Sequence, residues 1–168
     1  GKFTAYTLAP TLNKVRSLGG FQTLPDYSFQ TMPKDYAALI LIGGMQWQSP
    51  EAEQVVPLVQ DALQRGKIIG AICNAASFLA AHGFLNQVNH TGNTLPQLKL
   101  WGGERYTNEA GYQEEQAVSD KNIVTANGTG YLEFTRELLL LLQADTPERI
   151  EASYDFSKNG LVKFTKEH

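Results

Sequence analysis

The sequence predicts an α/β protein with a mostly parallel sheet between layers of helices, and two observations carry that prediction. Ala38 to Ile42 (ALILI) and Lys67 to Ile72 (KIIGAI) are apolar runs of strand length, the pattern of strands covered on both faces. Each is followed by a segment of helical period, Ser49 to Arg65 and Asn74 to His82. Strand, helix, strand and helix in that order make a βαβα unit, which closes only as a parallel sheet with helices packed on it. The chain has 168 residues, 42% hydrophobic and 18% charged, enough for a single domain spanning 1–168 with a sizeable core.

The remaining elements follow from local chemistry. Phe3 to Leu8 (FTAYTL) has the β-branched and aromatic content of a strand, ended by Pro10. Lys14 to Leu24 places Gly19-Gly20 between two short extended pieces and predicts a hairpin. Pro25 and Asp26 then turn the chain, and ALILI stops at Gly43-Gly44. Ser49 is positioned to cap the next helix, Pro50 suits its first position, and Glu51 and Glu53 sit where the helix dipole favours acids. Val55, Leu58, Val59, Ala62 and Leu63 form its apolar stripe, and Arg65-Gly66 close it.

Phe84 to Gln116 is irregular and polar, with a short helix at Leu95 to Leu100; binding residues concentrate in such regions beside a rigid core. Val118 and Ile123 to Ala126 read as strands around an Asp120-Lys121-Asn122 turn. Gly128-Thr129-Gly130 leads into a helix, Tyr131 to Gln143, whose Leu138 to Leu142 run reads as deeply buried. Thr146-Pro147-Glu148 opens a last helix ended by Gly160, and LVKFTKEH fits either a strand or a loose tail.

Composition narrows the function. A net charge of −3 gives no electrostatic surplus for nucleic acid or an anionic membrane surface. One cysteine forms no intrachain disulfide, and no signal-peptide core or bilayer-length apolar run is present, so the cytoplasm is the default compartment. Three scattered histidines and one cysteine supply no metal-ligand cluster, and the glycine pairs match no dinucleotide or phosphate-loop fingerprint, so no cofactor or metal is implied.

The chemistry centres on Cys73. It stands where the strand KIIGAI passes at once into a helix, and Ala71 and Ala75 are small enough to let strand and helix approach, as in a nucleophile elbow. The helix that follows directs its unpaired amides at the sulfur, which favours a thiolate. A buried structural cysteine is the alternative. Of the histidines, His82 sits in the last turn of the elbow helix, where a partly charged ring suits the dipole, and His168 is terminal. His90, in Asn89-His90-Thr91-Gly92-Asn93, is the one placed to approach Cys73 as a general base. Glu104 is either an acid or base or a solvated loop carboxylate, and Trp47 and Trp101 either line a pocket or fill a core.

The order ALILIGG, KIIGAICNA, NIVTANGTGYLEFTRELL resembles the ThiJ/PfpI (DJ-one/PfpI) family of the class I glutamine-amidotransferase-like superfamily, from about Phe3 to Leu142. Within it the chain resembles bacterial intracellular protease and amidase members. The resemblance implies a flavodoxin-like three-layer α/β/α sandwich, a homodimer, and Cys73 as nucleophile and redox-sensitive thiol. It implies that the amides of Gly43 and Gly44 line an anion site beside the sulfur, with Asn74 adding another. The family's first strand, first helix and a glutamate on that helix have no counterpart here, so an N-terminal segment of about 25 to 35 residues is expected to be missing. Asn74 also stands where protease-like members carry histidine. The expected function is a cysteine-dependent enzyme acting on a peptide or amide, or on small aldehydes in a glyoxalase-like manner; the competing expectation is a non-enzymatic redox or stress-response dimer, chaperone-like, with an oxidisable cysteine.

Overall fold

The computed structural model describes residues 2–167. At its centre is a four-stranded sheet of β5 (Ala38–Leu41), β6 (Ile68–Ile72), β7 (Ala117–Asp120) and β8 (Ile123–Ala126) in the order β5-β6-β8-β7. β5, β6 and β8 run parallel, while β7 pairs antiparallel with β8 through a turn at Lys121, whose φ is 52°. Before this sheet lie four two-residue strands. β1 (Leu8–Ala9) pairs in parallel with β4 (Tyr27–Ser28), and β2 (Val15–Arg16) pairs antiparallel with β3 (Gln22–Thr23). The hairpin is where the glycine pair places it. The Phe3 to Leu8 strand is not: only its last residue is extended into a ladder, and that ladder stands apart from the main sheet, leaving Phe3 and Tyr6 exposed.

Alternation along β6 builds the two cores. Ile69 and Ala71, with no exposed surface, join Val59 and Ala62 of α1 (Val56–Gln64) and Ala75, Phe78 and Leu79 of α2 (Asn74–Ala81). Leu98 of α3 (Leu95–Gly102) completes that layer. On the opposite face Ile68 and Ile72 pack with Val124, Ala126 and α4 (Tyr131–Leu141) through Phe134 and Leu138. Gly70 is required there, because a Cβ would lie 2.9 Å from both Ile40 Cδ1 and Phe134 Cζ. Outside α4 lies α5 (Pro147–Glu167), held by buried Ile150 and by Tyr154, whose hydroxyl donates to Glu133 Oε1 at 2.8 Å.

Five further expectations are corrected. β5 is not covered on both faces: it is the outer strand, α4 sits over its neighbours, and Ile40 and Ile42 remain exposed. The single helix from Ser49 is a 3-10 helix, Pro50–Val55, followed by α1, and the junction is set by Pro57, which lacks an N–H and whose ring opposes a continuous α ladder. Ser49 precedes that first segment with no side-chain capping bond. Of Leu138 to Leu142 only Leu138 is buried, since one stripe of α4 meets the sheet. The LVKFTKEH segment is neither strand nor tail but continues α5 to Glu167, across a non-helical Gly160.

Candidate active site

Cys73 links β6 to α2 with φ 62° and ψ −130°, a left-handed conformation that costs a residue with a Cβ of order 1–3 kcal/mol. Two anchors impose it. Its own N–H donates to Ala126 O at 3.0 Å, continuing the β6–β8 ladder, while its carbonyl accepts from Ala76 N–H at 3.0 Å and starts α2. The turn leaves the thiol partly exposed.

Two glycines make room for the sulfur. A Cβ on Gly43 would lie 3.1 Å from Cys73 Cβ, and one on Gly128 would lie 3.2 Å from Cys73 Sγ. Gly44 is not needed for space; its carbonyl accepts from Asn74 Nδ2 at 3.0 Å, which fixes the loop leaving β5. The main-chain N–H groups of Gly44 and Asn74 make no hydrogen bond within the described residues.

The side chain that meets the sulfur is Asn93, whose Nδ2 lies 3.5 Å from Cys73 Sγ. Asn93 Oδ1 accepts from Gly128 N–H at 2.9 Å, and this settles which end of the amide faces the thiol. Asn93 Nδ2 also donates to Asn74 Oδ1 at 3.2 Å, and Gln97 Nε2 donates to the same oxygen at 2.9 Å. Cys73 is therefore surrounded by carboxamides, which orient and polarise but do not exchange protons at neutral pH. Sequence reasoning missed Asn93 and Gln97. Asn93 lies in the NHTGN stretch, in which His90 is the one side chain that titrates near neutral pH.

His90 is spent on the fold. It is fully buried, its Nδ1 lies 2.9 Å from Val88 O and its Nε2 lies 2.7 Å from the Tyr106 hydroxyl, so neither nitrogen is left to take a proton from Cys73. Burial holds its protonation below the usual histidine range, and burial pushes the Tyr106 phenol up to about 12. His82 packs between Phe78 and Phe84 and meets Glu53 at 3.5 Å. Burial lowers its pKa against the pull of Glu53, so the partly charged ring expected from the helix dipole gives way to a neutral one. His168 lies outside the described residues. Glu104 is exposed in a 3-10 turn, Gly103–Arg105, and opens into a separate cleft with Trp47 and Trp101 rather than onto the sulfur's hydrogen-bonding partners.

Among the described residues no group of three or more His, Cys, Asp or Glu is arranged to hold a metal ion, and no helix is long and apolar enough to cross a membrane.

Known proteins are similar to this chain in sequence and fold. An uncharacterized protease, YdeA, of Bacillus subtilis is 40% identical over 151 residues, covering 89% of this chain and 75% of its own length. A second from the same organism, YoaZ, also named an uncharacterized protease, is 34% identical over 153 residues, covering 90% and 72%. The crystal structure of a thiJ/pfpI family protein from Bacillus anthracis superposes with a TM-score of 0.86 at 32% identity, covering 91% of this chain and 72% of that one. The DJ-1/PfpI family profile matches residues 2–141, and with the parallel sheet, the helices on both its faces and the Cys73 turn in view, the chain belongs to the DJ-1/PfpI family.

Proposed function

We propose that this chain is a cysteine-dependent enzyme in which the Cys73 thiolate adds to the carbonyl carbon of a small reactive aldehyde. The observation that carries the reading is the φ of 62° at Cys73. Strain at a residue other than glycine persists where its surroundings over-determine it, and such turns are a recurrent way to present a nucleophile. As the S–C bond forms, the C=O π pair moves onto oxygen. The Gly44 and Asn74 N–H groups are the donors assigned to that alkoxide, which then takes a proton from solvent. Gly43 supports the reading by keeping the approach beside the sulfur open.

Amide cleavage asks for more, because a poor leaving group must be protonated, and the side chain bonded to the sulfur is an amide. That chemistry favours the aldehyde. The second reading, a protease or amidase, is supported by the names of the two Bacillus subtilis relatives.

The test offers the purified protein methylglyoxal and, separately, fluorescent casein, each alongside a Cys73→Ser variant. Consumption of the aldehyde that Cys73→Ser abolishes, with casein intact, is the expected result. Casein cleavage lost in Cys73→Ser moves the assignment to the second reading. No turnover of either substrate overturns both.

A further inference from the structure

At the far end of α2 from Cys73, about 12 Å along the helix at 1.5 Å per residue, an open cleft of about 470 Å³ lies between the C-terminal ends of α2 and α3. Trp47, Glu53, His82, Trp101, Glu104 and Arg105 line it. Its size falls in the range of small-molecule sites, and its floor is firmly built. Gly102 is buried with its Cα so close to the neighbouring elements that a Cβ would lie 2.3 Å from Tyr106 Cβ and 3.2 Å from Ala80 O. Asn86 clamps the rim, donating to Arg105 O at 2.8 Å and accepting from Thr107 N–H at 3.0 Å.

The lining is specific in chemistry. Trp47 donates its indole N–H to Ile42 O at 2.9 Å and packs against Phe78 at 4.9 Å between ring centroids, so the indole is held in one orientation. Trp101 supplies the second indole from α3. Glu104 and Arg105 make no side-chain hydrogen bond or ion pair among the described residues, and Glu53 meets only His82, which burial holds neutral. The cleft is thus lined by two carboxylates, one guanidinium and two indoles.

We infer that this cleft binds the guanidinium side chain of an arginine, free or in a peptide. A guanidinium stacks on an indole face and bonds carboxylates through its planar fork, so Trp47, Trp101, Glu53 and Glu104 meet both of its needs. Arg105 remains for the carboxylate or carbonyl of the same ligand. A neutral isostere keeps the shape and loses the charge, and it separates this site from an unselective aromatic cleft. The inference stands independently of any reaction at Cys73.

Trp47 and Trp101 are the only two tryptophans in the chain, so tryptophan fluorescence, excited at wavelengths where the seven tyrosines do not absorb, reports on the cleft. L-arginine is titrated against the protein, with L-citrulline as the neutral control, at pH 7.5 and low salt. A saturable change with L-arginine, absent with L-citrulline, is expected, and Glu104→Gln should weaken it about threefold to fivefold, the range of an exposed charged pair. Glu104→Gln should alkylate at Cys73 at the parental rate. No saturable change, equal responses to the two amino acids, or parental binding by Glu104→Gln each overturn the inference.

Discussion

Residues 2–37 and residues 38–144 use the same hydrophobic vocabulary to opposite effect. In the first region Leu18 is 86% and Phe21 78% exposed, at the tip of a ladder only two residues deep on each side. In the second, Ile69 and Leu79 have no exposed surface and Phe78 has 1%, because helices close over a four-stranded sheet. Apolar content alone does not make a core; a covering layer does, and a two-residue ladder has none to offer.

That contrast is testable by truncation. Phe78→Ala removes a side chain that packs with Trp47 and His82, and it should lower stability by about 3–5 kcal/mol, whereas Phe21→Ala should change it by no more than about 0.5 kcal/mol. Urea unfolding of the two variants checks both, and comparable losses would break the contrast. Glycines sharpen it at the next level. Gly70→Ala drives a Cβ into Ile40, Phe134 and Leu138 and should cost about 1–3 kcal/mol, while Gly19→Ala, whose nearest neighbour is Phe21 at 3.8 Å, should be almost silent.

The smallest effect is in pH. His82 and His90 both belong to the second region and burial depresses both, so the unfolded chain binds more protons than the folded one below its ordinary histidine value of 6.5. Their contribution to stability is therefore full above about pH 6.5 and is lost as pH falls below it. Denaturation midpoints between pH 7.5 and 5.5 should decline with acidity, less steeply in His90→Gln. A midpoint that rises on acidification would show that these rings are not held neutral.

The same contrast explains what the sequence could reveal. ALILI, KIIGAI and the helices after them were legible because strand length, period and glycine punctuation are local properties. The covering of β5 was not, since Ile40 reads like Ile69 until the position of α4 is known. The turn at Cys73 was legible because the strand before it and the helix after it are written in consecutive residues. Asn93 was not, because its role exists only once β8 brings Gly128 to its carbonyl oxygen. His90 misled for a related reason: a polar loop in sequence became a buried one, and Tyr106 and Val88 claimed both ring nitrogens.

The Asn93 bridge also bears on how the protein is made. Cys73 emerges from the ribosome well before Gly128, and at about 5–20 residues per second the interval is several seconds. Throughout it the thiol belongs to an unfinished chain, without the glycine that orients the amide meeting it. Oxidants and electrophiles then encounter a thiol without that neighbour, and the arrangement around the sulfur is complete only when β8 has joined β6. Cys73 is thus open to modification during synthesis, before all the contacts that surround it in the folded chain exist.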